Sequence, residues 1–287
     1  MPRTLLAIFA HPDDETFGPG GTLAKYAAEG VAVHLICATR GEVGESDMDD
    51  YGRCEDLACQ REQELRCAAD VLGLAEVHFL DYQDSGMAGS PANQHPRALV
   101  QADMDVLAEQ VADIMRQLQP QVVLTFDPYG AYGHPDHIAI HQATVAAYER
   151  LGGADCVQPP VASALLPKLY YTAMMQTMLR WTVWIMPLFG LDPRAVGKNK
   201  DIDLRAALDH ALPITTKIDV GAYYDAKRQA AACHQSQLSG PGPFWDRLPK
   251  WLVRRAQSIE SFHRAAPPFS PGERVERDFF AQAGQED

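Results

Sequence analysis

Two short segments carry residue types that can hold and use a metal ion. Residues 10–15 read AHPDDE and residues 133–137 read GHPDH. Each comes soon after an apolar run of strand length and before a helical pattern. That puts each at the carboxyl end of a strand, where ligands gather in an open parallel sheet. A catalytic zinc site typically takes three protein ligands from His, Asp and Glu and leaves a fourth place for water. His11, Asp14 and His137 form such a set: Asp14 stands where the chain turns into a helix, and His137 can complete the set from the second segment. One such motif is weak evidence, since a histidine near a helix start is more commonly a cap or a satisfied core residue. Two of them at matching places in one sheet are far more specific.

The elements that must position these segments follow from periodicity. Short apolar runs alternate with helical patterns in the order that builds parallel strands with crossover helices. Strands are expected at 4–10, 31–38, 77–80 and 122–126, and helices at 21–29, 59–72, 99–118 and 137–151, with glycines or Pro120 just past their ends. The predicted class is α/β, a Rossmann-like, mostly parallel sheet with flanking helices, forming a metal-binding catalytic domain over residues 1–160. A smaller C-terminal α/β subdomain over 161–287 is expected to complete the substrate pocket. Its expected elements are strands at 168–172 and 214–220, a helix at 223–237, a loop at 239–243 and a closing helix within 245–265. Residues from Pro267 onward read as loosely held.

Composition excludes some functions. Asp and Glu outnumber Lys and Arg by 38 to 25, a formal charge of −13. A phosphate-tracking surface would have to form against that field, so no nucleic acid partner is expected. The apolar run at 5–10 is too short for a signal sequence core. The stretch 178–191 carries Arg180 and Pro187, falls short of the ~20 residues of a membrane span, and reads as a buried helix, with a substrate-side wall or subunit contact as the lesser reading. A cytoplasmic protein is expected, compatible with an oligomer. The six cysteines (Cys37, Cys54, Cys59, Cys67, Cys156, Cys233) contain no CxxC pair. A chain of this size needs no bridges, so reduced thiols are expected, with Cys37 and Cys67 as small buried groups.

AHPDDE with the later DPYGAYGHPDH resembles the LmbE-like (PIG-L) family of zinc-dependent N-acetylglucosaminide deacetylases. TRGEVGE at 39–45, REQEL at 61–65, DSGMAG at 84–89 and CHQSQ at 233–237 extend the likeness, which is strongest toward the mycothiol-biosynthesis branch acting on N-acetylglucosaminyl-inositol. The resemblance implies His11, Asp14 and His137 as zinc ligands, Asp13 as general base and His134 as support for the oxyanion. It also implies Arg61 and Asp84 as sugar contacts, with Glu45 a weaker one.

The chemistry is amide hydrolysis. Zinc acidifies water and polarises the acetyl oxygen, while Asp13 accepts a proton and later delivers it to the departing amine. His134, protonated or as a neutral donor, and the Tyr132 hydroxyl can stabilise the oxyanion. Zinc suits these donors and ferrous iron is compatible with them. Asp127 reads either as an orienting partner of a ligand histidine or as a loop-initiating residue, and His234 either as a site residue or as a packing one. Three rivals remain at this level: an amidase for a larger thiol conjugate of a glucosaminyl-inositol, a non-catalytic metal-dependent sugar-binding protein, and a nucleotide-binding module. The last rests on Gly18, Gly20 and Gly21, whose spacing does not match GxGxxG.

Overall fold

The computed structural model describes residues 3–44, 46, 51–152, 166–173, 176–196, 202–238, 250–270 and 272–281. Its centre is β1 (Thr4–Phe9), in which all side chains of TLLAIF are buried, as befits a strand covered on both faces of a parallel sheet. Around it lie β2 (Ala32–Cys37), β3 (Glu76–Phe79), β4 (Val122–Thr125), β5 (Lys168–Thr172), β6 (Thr216–Asp219) and β7 (Ile259–Ala266), in the order β3-β2-β1-β4-β5-β7-β6. Strands β1 to β5 pair in parallel, whereas β7 runs antiparallel to both β5 and β6. The α/β, mostly parallel architecture is the one expected. Strand order reverses between the adjacent strands β1 and β4, and the crevice at such a reversal is where open α/β sheets bind ligands.

The helices are α1 (Asp14–Phe17), α2 (Gly20–Ala28), α3 (Leu57–Leu72), α4 (Met104–Leu118), α5 (Gly130–Gly133), α6 (Pro135–Gly152), α7 (Gln176–Ile185), α8 (Leu204–Asp209), α9 (Tyr224–Cys233) and α10 (Lys250–Ala256). Helix α3 starts where the Asp56 carboxylate accepts from Cys59 N and stops at Gly73, whose φ of 75° suits a left-handed cap. Helix α4 begins later than its apolar pattern suggests, because Asp103 caps Asp105 N and Val106 N, while Leu99–Gln101 forms a separate tight turn.

Several expectations for the second half are corrected. The closing helix ends at Ala256, and the chain continues as β7. In that strand Glu260, Phe262 and Arg264 alternate inward, and two charges at inward positions hide the period-two pattern of a half-buried strand. The stretch 178–191 is not a buried helix: Trp184, Leu188, Phe189 and Leu191 are exposed, beyond the end of the ten-residue α7 or on its last turn. Nor are the described residues after Pro267 loosely held. Glu276 accepts from Arg264, Tyr170 and Thr216, and Phe279 is fully buried against Tyr26, Tyr170 and Phe262. The loop expected at 239–243 lies outside the described residues.

The thiols also differ. Cys54 is bonded to Cys59 and Cys67 to Cys233, and Cys37 is free and buried. Packing of α3 against α9 brings Cys67 and Cys233 to a Cα separation of 5.8 Å, inside the range a bridge spans.

Candidate active site

Each motif leaves its strand into an unusual turn. After β1, Asp13 adopts φ 116°, ψ −28° at the start of α1, a conformation costly for a residue with a Cβ and found mainly where function demands it. Its N–H donates to Glu15 Oε2 at 2.9 Å. After β4, Asp127 Oδ1 accepts from Tyr129 N and Oδ2 from Ala131 N. Of its two readings, therefore, the loop-initiating one describes Asp127. Gly130 is required in this turn: its φ is +71°, and a Cβ there would lie 2.9 Å from His137 Cβ. Pro135 then opens α6, where its fixed φ fits and its missing N–H costs nothing.

The two turns bring His11, Asp14 and His137 face to face. His11 Nδ1 lies 3.2 Å from His137 Nε2 and 3.6 Å from Asp14 Oδ2, and His137 Nε2 lies 3.4 Å from Asp14 Oδ1. Ligand atoms ~2.1 Å from a tetrahedral ion are ~3.4 Å apart, so these donors fit an ion of the zinc type. The trios His11, His134, His137 and His11, Asp84, Asp136 are also close enough to share an ion. Hydrogen bonding favours the first face. His11 Nε2 is directed at Asp136 Oδ2 (3.1 Å) and Asp84 Oδ1 (3.5 Å), and those carboxylates also accept from Ser85 N and Gly86 N. A proton held on Nε2 leaves the His11 Nδ1 lone pair free. His137 Nδ1 lies 3.2 Å from the Gly130 carbonyl, which likewise leaves Nε2 as the ligand atom.

His134 is fixed in the opposite sense. Its Nδ1 accepts from Asp136 N at 3.2 Å, so the ring proton sits on Nε2. Burial, reinforced by His11 and His137, lowers its pKa to about 2. Both observations favour a neutral ring over a protonated one. His137 is lowered to about 4, chiefly by burial. Burial also drives Asp13 up to about 7, against the pull of Arg61 and with repulsion from Asp14. Asp14 and Asp84 are held well below the usual carboxylate range: burial opposes this, but His137 and His11 outweigh it at Asp14, and His11 does so at Asp84.

Arg61 does not form the helix-surface pair with Glu64 that its spacing allows. It turns inward, donating from Nη2 to Pro12 O (2.6 Å) and Asp13 Oδ2 (3.3 Å) and from Nη1 to Gly41 O (3.0 Å). Glu64 instead accepts from Ser236 N and Ser236 Oγ. His234, from the C-terminal half, contacts Glu15 Oε1 at 2.8 Å and so backs the turn that holds Asp13. The Asp136 and Glu15 roles are absent from the sequence reading, although both residues lie inside the quoted motifs. Glu45 lies outside the described residues.

A cavity of about 510 Å³ opens over His11, Asp13, Arg61, Asp84, Tyr132 and His134, and Ile202 and Gln237 from the C-terminal half also line it. A second, of about 310 Å³, lies against Asp14 and His137 among Phe9, Phe126 and Phe262, and Tyr132 borders both. The glycines after β1 bind no phosphate. Glu260 accepts from Gly21 N and Thr22 N at the start of α2, so a protein carboxylate already fills the anion position.

The family model described as PIG-L, GlcNAc-PI de-N-acetylase, matches residues 6–148. The chain is 36% identical over 291 residues to the 1D-myo-inositol 2-acetamido-2-deoxy-alpha-D-glucopyranoside deacetylase of Acidothermus cellulolyticus, covering 98% of this chain and 95% of that protein. It is 38% identical to the enzyme of the same name from Rhodococcus jostii, covering 83% and 82%. Among solved structures it is similar to the N,N'-diacetylchitobiose deacetylase of Pyrococcus horikoshii (TM-score 0.59, 19% identity, 91% and 83% covered). It is also similar to the 4-carboxy-2-hydroxymuconate hydratase GalB of Pseudomonas putida (TM-score 0.56, 20% identity, 94% and 98% covered). The last two show the shared fold alone, since a hydratase and a deacetylase both use it. The full-length sequence similarity goes further, and on it the chain belongs to the PIG-L, or LmbE-like, family of de-N-acetylases.

Proposed function

We propose that this protein is a metal-dependent hydrolase that removes the acetyl group from N-acetylglucosaminyl-inositol. Relatives that match nearly the whole chain carry that activity in their names. The observation that carries the reading is the meeting of Asp13, His11 and His134 around one cavity, with Asp14 and His137 completing the ligand face beside His11.

His11, Asp14 and His137 would hold zinc, with ferrous iron the alternative, and the donor spacing and the surrounding carboxylates favour a divalent cation. When bound, the ion supplies Lewis acidity, polarising the amide carbonyl and acidifying water. Asp13 accepts the proton of the attacking water and returns it to the amine nitrogen as the C–N bond breaks. Arg61 restrains the Asp13 carboxylate. His134 donates its Nε2 proton to the developing oxyanion, and the Tyr132 hydroxyl serves as a second donor. Arg61, Asp84 and Glu45 are assigned to the sugar. Residues 161–287 act as a subdomain that completes the pocket, a role favoured by Ile202 and Gln237 on the cavity wall.

Among the described residues no helix is long and apolar enough to cross a membrane. We place the enzyme in the cytoplasm, where its bridges would face reducing conditions. The experiment is acetate release from N-acetylglucosaminyl-inositol by metal-defined protein. Turnover lost on chelation and restored by zinc or ferrous ion is the expected outcome, and no turnover of any N-acetylglucosaminide would defeat the reading. Preference for a bulkier acyl group would favour the amidase, and sugar binding without acetate would favour a non-catalytic protein.

A further inference from the structure

A second group of metal-ligating side chains lies at the open edge of the sheet, away from the carboxyl ends of the strands. His34 is in the middle of β2, and Glu76 and His78 are two apart on β3, so both point to one face. The parallel register sets His34 against Glu76 and Ile36 against His78, so His34 lies opposite Glu76 and one same-face step from His78. His34 Nδ1 lies 3.4 Å from His78 Nε2 and 3.9 Å from Glu76 Oε2, and His78 Nε2 lies 3.6 Å from Glu76 Oε2. The rings stack at 21°, with centroids 5.7 Å apart.

These separations resemble those of the His11–Asp14–His137 face and approach the ~3.4 Å ligand spacing of a tetrahedral ion. Two imidazoles and one carboxylate make a complete three-ligand set with a place left for water. Glu76 is 60% exposed and the histidines 13% and 21%, so an ion can enter from solvent. Among the described residues, the ion-pair partners of Glu76 are these two histidines and no lysine or arginine.

We propose that His34, Glu76 and His78 form a second site for a divalent transition-metal ion, independent of the catalytic centre. Imidazole donors favour zinc, nickel and copper over magnesium and calcium. An ion there ties the four-residue edge strand β3 to β2. It also steadies the segment after β3 that delivers Asp84 to the cavity.

The test uses metal-free full-length protein equilibrated with zinc chloride, with bound metal counted by mass spectrometry. The wild type should carry one more ion per chain than His34→Gln or His78→Gln. Glu76→Gln should bind that ion at least about 10-fold more weakly, the lower end of what even an outer-shell change costs. Zinc beyond the catalytic equivalent should raise the unfolding midpoint of the wild type and leave that of His78→Gln unmoved. Should His34→Gln fold poorly, His78→Gln decides, since its side chain lies at the solvent-facing sheet edge. Equal zinc counts in wild type and His78→Gln, or the same midpoint response in both, would overturn the proposal.

Discussion

Replacing Asp13 by asparagine separates chemistry from scaffolding. Asparagine keeps the volume and an oxygen that can accept from Arg61 Nη2, now 3.3 Å from Asp13 Oδ2. The backbone bond from residue 13 to Glu15 is untouched. What disappears is the group that takes the proton. A positioned general base contributes about 10²- to 10⁴-fold, or roughly 3–5 kcal/mol of barrier, so kcat for acetate release should fall at least about 100-fold. Metal content should hold, because Asp13 is not on the His11–Asp14–His137 face. The pH profile gives an independent reading. Burial, opposed by Arg61 and aided by Asp14, raises the carboxyl to about 7 in the metal-free protein. A base works only when deprotonated, so the wild-type rate should climb with pH through that group and then level. A bound cation favours the charged form, which moves the climb of the loaded enzyme below 7. In Asp13→Asn the climb should be missing. A variant that keeps more than about a tenth of wild-type kcat, or the same acid limb, refutes the base role.

Further outcomes follow from other contacts. The raised Asp13 pKa means the folded metal-free chain binds this proton more tightly than the unfolded one. Its stabilising contribution is complete in acid and lost as pH rises toward 7, so urea midpoints of metal-free protein should decline less over that window in Asp13→Asn than in wild type. Asp136→Asn weakens the carboxylate that holds His11 Nε2 and should cost about 10- to 100-fold in zinc affinity by equilibrium dialysis; unchanged affinity would remove its orienting role. In Gly41→Ala the new Cβ would sit 2.1 Å from Arg61 Nη1 at a φ of +68°, so KM should rise and the unfolding midpoint fall together, and an unchanged KM would detach Arg61 from the sugar. Reduction of Cys67–Cys233, which spans 166 positions, should cost up to about 5 kcal/mol by loop entropy, read as a lower midpoint under dithiothreitol.

The candidate constellation was legible because its signals are local. A histidine and two acids at a strand exit can be recognised without knowing the sheet, and β1 and β4 announce themselves as unbroken apolar runs. Strand β7 was hidden by its chemistry: Glu260 faces inward to cap α2 beside Lys227, and Arg264 faces inward to bind Glu273 and Glu276. Each looks like a surface charge until its distant partner is known. The Cys67–Cys233 bridge was hidden for the same reason, since neither residue signals the packing of α3 on α9. The inward turn of Arg61 was not legible from its own neighbours. Its neighbours at helical spacing offered a surface pair, whereas the space that receives its guanidinium is created by glycines at 41 and 44, twenty and seventeen positions earlier in the chain.

A fold shared with a hydratase does not by itself select amide hydrolysis, and under the proposed function the way the two motifs interlock bears on that selection. Asp136 of the second motif orients His11 of the first, and its own N–H fixes His134 as a donor. Glu15 of the first motif, braced by His234 from the C-terminal half, holds the strained turn that presents Asp13. The proposed base, ligand face and oxyanion donor are therefore held by hydrogen bonds that cross from β1 to β4 and to the C-terminal half, and changes among neighbouring members should not be additive. Under the proposed function, that interdependence gives Asp136, Glu15 and His234 a part in the reaction through the residues they position.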